Sequence, residues 1–163
     1  MLKSARDAKI PIVHITGLDD CGVEGWSARR SATVGEQSDE ARDRRKRRYD
    51  IIDEVAPLPG EAVLRKSSPS AFWGTPLVGH LTSLGVDTII TCGESTSGCV
   101  RASVVDGCTN RYRMAVVEEC VFDRHEASHA INLFDMNQKY ADVLTLAEVL
   151  EYLAAWRAEQ DTD

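Results

Sequence analysis

Apolar and polar positions fall in blocks along the chain, and the blocks predict strands and helices in turn. "IPIVHIT" (10–16) is short and β-branched with a proline near its start, which predicts a buried strand. "EAVLRK" (61–66), "VDTIITCG" (86–93) and "YRMAVVEE" (112–119) predict three more. "TPLVGHLTSLG" (75–85) predicts a helix: Thr75 can cap it, Pro76 suits the first helical position, and Gly85 ends it. Helices are also predicted over "CVRASVVDGC" (99–108), "RHEASHAINLFDMNQKY" (124–140) and the amphipathic "LAEVLEYLAAWRAE" (146–159). Residues 2–9 read as the last turns of a helix, and "ADVLT" (141–145) as a short strand or turn. Residues 17–61 are polar and irregular, with helix predicted in "SDEARDRRKRRYDIIDEV" (38–55).

Alternating strand and helix predicts an α/β sandwich with a parallel sheet. Chemistry in such sheets collects in the loops after the strand C-termini. Lys66 closes one predicted strand and Glu94 to Cys99 follow another, so both fall on one sheet edge. With 163 residues the chain predicts one domain, 1–163. Its net charge of −7 excludes wholesale nucleic-acid binding, which needs a basic face. The basic run "RRKRR" (44–48) has acidic neighbours on both sides and reads as a solvated helix face. No apolar run approaches the ~20 residues of a membrane span, and "MLKSARDAKI" lacks a signal peptide's apolar core. Five cysteines without a CxxC pair point to reduced thiols and a cytoplasmic protein.

"TCGESTSGCVRASVVDG" (91–107) holds the candidate chemistry. It runs from a strand through a turn of small residues into a helix, with Cys99 at the junction. Unpaired backbone N–H groups and the positive helix end favour a thiolate there. The same N–H groups can stabilise an oxyanion. On the residues alone two readings stay open, a nucleophile and a small hydrophobe packed where sheet meets helix.

"GESTSGCVRASVVDG" resembles the nucleophile segment of the isochorismatase-like cysteine hydrolases, in particular the N-carbamoylsarcosine amidohydrolase branch. "KSSPSAFWGTPL" (66–77) resembles the segment with the family's catalytic lysine. "DRHEASHAINLFDMNQKYADV" (123–143) resembles the segment that closes the substrate pocket. The resemblance implies a three-layer α/β/α sandwich with a mostly parallel sheet. It implies Cys99 as nucleophile toward an amide or carbamoyl carbon, with Lys66 beside the thiol. A cis peptide is implied between Glu94 and Ser95, with the N–H groups of Ser95 and Cys99 as the oxyanion hole. Arg124 would hold a substrate carboxylate, and Thr96 and Phe72 would line the pocket. The implied substrate is a small amide or carbamoyl acid, and the implied assembly a homodimer or homotetramer. No cofactor is implied. The metal-binding Asp/His cluster of related nicotinamidases has no histidine here in "GLDDCGVEGWSARR" (17–30), and His125 and His129 read as an ordinary helix-face pair.

The family's first strand, with an aspartate as general base, lies upstream of the helix entered at residue 2. No residue of this chain matches it, and Asp19 and Asp20 belong to another loop. The chain is therefore expected to be N-terminally incomplete, with its central strand missing. The alternative is a non-catalytic pseudo-enzyme or assembly subunit of the same fold.

Overall fold

A computed structural model of the chain describes residues 1–18, 38–40, 47 and 49–160. Among the described residues the bounded strands and α-helices are α1 (Leu2–Asp7), β1 (Val13–Gly17), β2 (Ala62–Lys66), α2 (Leu77–Ser83), β3 (Thr88–Glu94), α3 (Arg101–Thr109), β4 (Arg113–Phe122), α4 (Glu126–Lys139), β5 (Asp142–Leu144) and α5 (Leu146–Gln160). Each predicted strand and helix outside 17–61 has a counterpart. Among the described residues every ladder is parallel, and the strands form two sheets, β1–β2 and β3–β4–β5. Among the described strands, β1 pairs only with β2 and β3 only with β4, so each keeps one unpaired edge.

The side chains of β4 show why helices cover both faces. Met114, Ala115, Val116 and Val117 are all buried, the continuous apolar run of a parallel strand covered on both sides. Alternate residues point to opposite faces. Met114 and Val116 pack with Val100 and Val104 near and on α3, and with Leu133 and Met136 on α4. Val117 packs with Ala5 and Ala8 at α1, and with Val149 and Leu153 on α5. A third cluster sets Leu77 and Leu81 of α2 against Val13, Ile15, Leu64 and Ile89, and so spans both sheets. The result is a three-layer α/β/α sandwich.

Two boundaries differ from the sequence reading for local reasons. Strand β4 extends to Phe122, because after a register shift between Thr91 and Gly93 it pairs again, Gly93 with Val121 and Glu94 with Phe122. The helix predicted over 38–55 does not continue to its end: Asp53–Val55 is a single 3-10 turn. Tyr49 is instead tied to the end of β1. Its carbonyl accepts the Thr16 hydroxyl at 2.5 Å, and its ring lies so close over Gly17 that a Cβ there would meet it at 2.4 Å. Residues 41–46 and 48 of that predicted helix, which include the run 44–48 apart from Arg47, and Asp19, Asp20 and Cys21 lie outside the described residues. Thr75 does serve α2, its hydroxyl accepting the Leu77 N–H at 3.3 Å, but Pro76 is the residue before the first turn rather than in it.

Candidate active site

Strands β2 and β3 deliver their C-terminal ends to the same edge. Lys66 is the last residue of β2, and its ammonium has three protons to place. They go to the Ser68 carbonyl at 2.8 Å, the Pro69 carbonyl at 2.9 Å and the Cys99 sulfur at 3.2 Å. A flexible lysine is thereby aimed at one thiol. Gly93 has φ +125°, a backbone conformation that glycine alone adopts at little cost. One residue on, the Glu94–Ser95 peptide bond is cis. Thr96–Val100 then forms one wide turn, irregular at Gly98, before α3 begins at Arg101.

The turn is fastened to its neighbours by side chains. Ser103 of α3 donates to the Cys99 carbonyl at 2.7 Å and accepts the Ala71 N–H at 2.9 Å, joining the Cys99 turn to the loop that holds the Lys66 ammonium. The Asp123 carboxylate, just after β4, accepts the Ser97 N–H at 2.7 Å and the Ser97 hydroxyl at 2.6 Å. Its other oxygen accepts the Arg124 N–H at 2.8 Å. These bonds, led by the Ser97 hydroxyl, hold the Asp123 carboxyl below the usual carboxylate range. Arg101 reaches α4, at 2.7 Å from Asn132 and 2.6 Å from Asp135.

The other residues singled out by sequence have varied positions. Arg124 is exposed, and its guanidinium makes no ion pair among the described residues. Thr96 is fully buried, with its hydroxyl 2.9 Å from His129 Nδ1, so the turn as it stands gives its side chain no open face toward a ligand. Phe72 is half-buried, its ring 6.0 Å from that of Tyr112. Lys66, Cys99, Glu94 and Ser95 are brought together; Arg124 follows the residue that anchors their turn. His129 is engaged by Thr96, and no group of three metal-ligating side chains occurs among the described residues. A groove between β4, α4 and β5, lined by Glu118, His129, Leu133 and Phe134 among others, touches neither Lys66 nor Cys99.

Ser103, Asp123 and His129 escape sequence reasoning. Asp123 lies 26 residues from Ser97 and His129 lies 33 from Thr96, and no local pattern links them. Cys92 is a thiol of another kind. It is open to solvent, yet crowding by protein and the neighbouring Cys120 thiol push it up to about 12.

Residues 1–148 match the isochorismatase domain. Maleamate amidohydrolase of Pseudomonas putida is 48% identical over 103 residues, which cover 63% of this chain and 48% of that protein. N-carbamoylsarcosine amidase of an Arthrobacter species is 38% identical over 112 residues, 69% of this chain and 42% of that protein. The chain thus spans about half the length of the curated relatives it matches. An isochorismatase family protein from Desulfovibrio vulgaris superposes with a TM-score of 0.76 at 25% identity, over 94% of this chain and 80% of that one.

Proposed function

We propose that this chain, which belongs to the isochorismatase family, is a cysteine-dependent amidohydrolase of small carboxylated amides or carbamoyl acids. The observation that carries the reading is the 3.2 Å contact between Lys66 Nζ and Cys99 Sγ, with the ammonium's other protons held by two carbonyls. A cation fixed there stabilises a thiolate, the reactive form of cysteine. Relatives named maleamate amidohydrolase and N-carbamoylsarcosine amidase support the bond type.

The chemistry proceeds in two halves. Cys99 Sγ attacks the amide or carbamoyl carbon, and the carbonyl π pair moves onto oxygen. The N–H groups of Ser95 and Cys99 stabilise that oxyanion. The pair returns, the C–N bond breaks, and the nitrogen takes a proton from water and leaves as ammonia. Water then attacks the thioester and releases the acid and the thiol. Lys66 stabilises sulfur as an anion in both halves. Arg124 pairs with the substrate carboxylate, a task suited to a forked guanidinium that makes no ion pair among the described residues. Phe72 contributes apolar wall, and Thr96 acts through the turn it anchors. The reading assigns the general base to no residue of this chain, and it includes a homodimer or homotetramer in the cytoplasm.

The split sheet favours a second reading, a non-catalytic assembly subunit of the same fold. Ammonia release from maleamate and N-carbamoyl amino acids separates the two, with Cys99→Ser as control. Release abolished by the substitution supports the hydrolase. Release equal in both proteins, or none from either, supports the subunit.

A further inference from the structure

We infer that Asp123 is a positioning residue for the nucleophile: its carboxylate holds the Cys99 turn in register with Lys66 and joins it to the segment carrying Arg124. The inference rests on the hydrolase reading of Cys99 and goes beyond it. Three bonds carry it. One Asp123 oxygen takes both the N–H and the hydroxyl of Ser97, two residues before Cys99, and the other takes the N–H of Arg124. Helix starts leave N–H groups without partners, and a side-chain oxygen normally satisfies them from the residue just before. Here the residue before the turn, Ser95, makes no side-chain cap, and the capping oxygen comes from a different loop. Charge-assisted bonds of this kind are stronger than neutral ones.

A second contact points the same way. Thr96, fully buried, meets His129 of α4 at 2.9 Å. Two successive turn residues are therefore held by the segment that follows β4. Nucleophile and carboxylate anchor form one unit, so the distance between Cys99 Sγ and an Arg124-bound substrate is set by Asp123 rather than by either loop alone.

Charge and geometry make opposite predictions, which gives the test. A carboxylate near Cys99 disfavours a thiolate, so losing the charge alone speeds the thiol. Losing the bonds releases the turn and slows it. The measurement is the iodoacetamide rate of Cys99 at fixed neutral pH, read by peptide mass spectrometry on the full chain. Asp123→Asn keeps, through its amide oxygen, the acceptor for both the N–H and the hydroxyl of Ser97, gives up only the acceptor for the Arg124 N–H, and is expected to react at least as fast as wild type. Asp123→Ala is expected to react about tenfold more slowly, with unchanged circular dichroism. Ser97→Ala removes one bond and no charge, is expected to slow Cys99 about threefold, and carries the test should Asp123→Ala not fold. Asp123→Ala reacting as fast as Asp123→Asn, or Ser97→Ala reacting like wild type, overturns the positioning role. A wild-type Cys99 no faster than N-acetylcysteine sinks the nucleophile reading itself, and the positioning role with it.

Discussion

A single lysine conformation connects sequence to chemistry at the scale of the residue. Lys66 is an ordinary strand-end residue in composition, and three acceptors within hydrogen-bond reach turn it into a fixed charge. Arg124 is the opposite case, an exposed guanidinium with no ion pair among the described residues. If it holds the substrate carboxylate, Arg124→Ala loses a charge-assisted pair, and kcat/KM for a carboxylated amide falls about 10- to 100-fold, mainly through KM. Turnover of a matched amide without a carboxylate stays within about twofold in that variant. Equal losses on both substrates would show that Arg124 does not read the carboxylate.

Contacts between elements explain what the sequence could and could not reveal. Buried β4 reads from its own run "MAVV", and the shared edge of Lys66 and Cys99 follows from strand alternation. The cis peptide at Glu94 came only from family resemblance, because no residue type there requires it. Thr96 reads as a pocket residue in a small-residue turn, but the partner that buries it, His129, is 33 positions away. The Glu61 cluster is equally invisible to local pattern. Its carboxylate takes Arg6 Nε at 2.7 Å, His14 Nε2 at 2.8 Å and the Leu58 N–H at 2.9 Å, binding α1, β1 and the start of β2. The Arg6 bond, then the Leu58 N–H, hold this carboxyl far below the usual range. A lowered folded value means stability present above the unfolded pKa of about 4.3 and lost as pH falls toward the folded one. Glu61→Gln should therefore melt below wild type at neutral pH, with the gap closing below about pH 4. A gap constant with pH would show that the charge of Glu61 adds nothing.

For the whole molecule, the division into two sheets is the dominant feature. Helix α2 covers parts of both, through Leu77 and Leu81, yet no ladder joins β1 to β3. Unpaired strand edges leave backbone groups to solvent or to a partner. The central strand β4 is paired on both sides at Ala115 and Val116. Its amides there should exchange with deuterium at least about tenfold more slowly than the edge-facing amides of β1 and β3. Equal protection would mean that something covers those edges in solution, and would favour the assembly reading.

The most direct test of the account is the alkylation rate of Cys99 at neutral pH, beside that of Cys92 and of N-acetylcysteine. Cys99 beside the Lys66 ammonium should react about tenfold faster than N-acetylcysteine, and Lys66→Ala should remove most of that advantage. Cys92, though open to solvent, should react far more slowly than the free thiol, because its thiol sits near 12. A Cys99 no faster than N-acetylcysteine, or unchanged by Lys66→Ala, would contradict the claim that this pair forms the nucleophile.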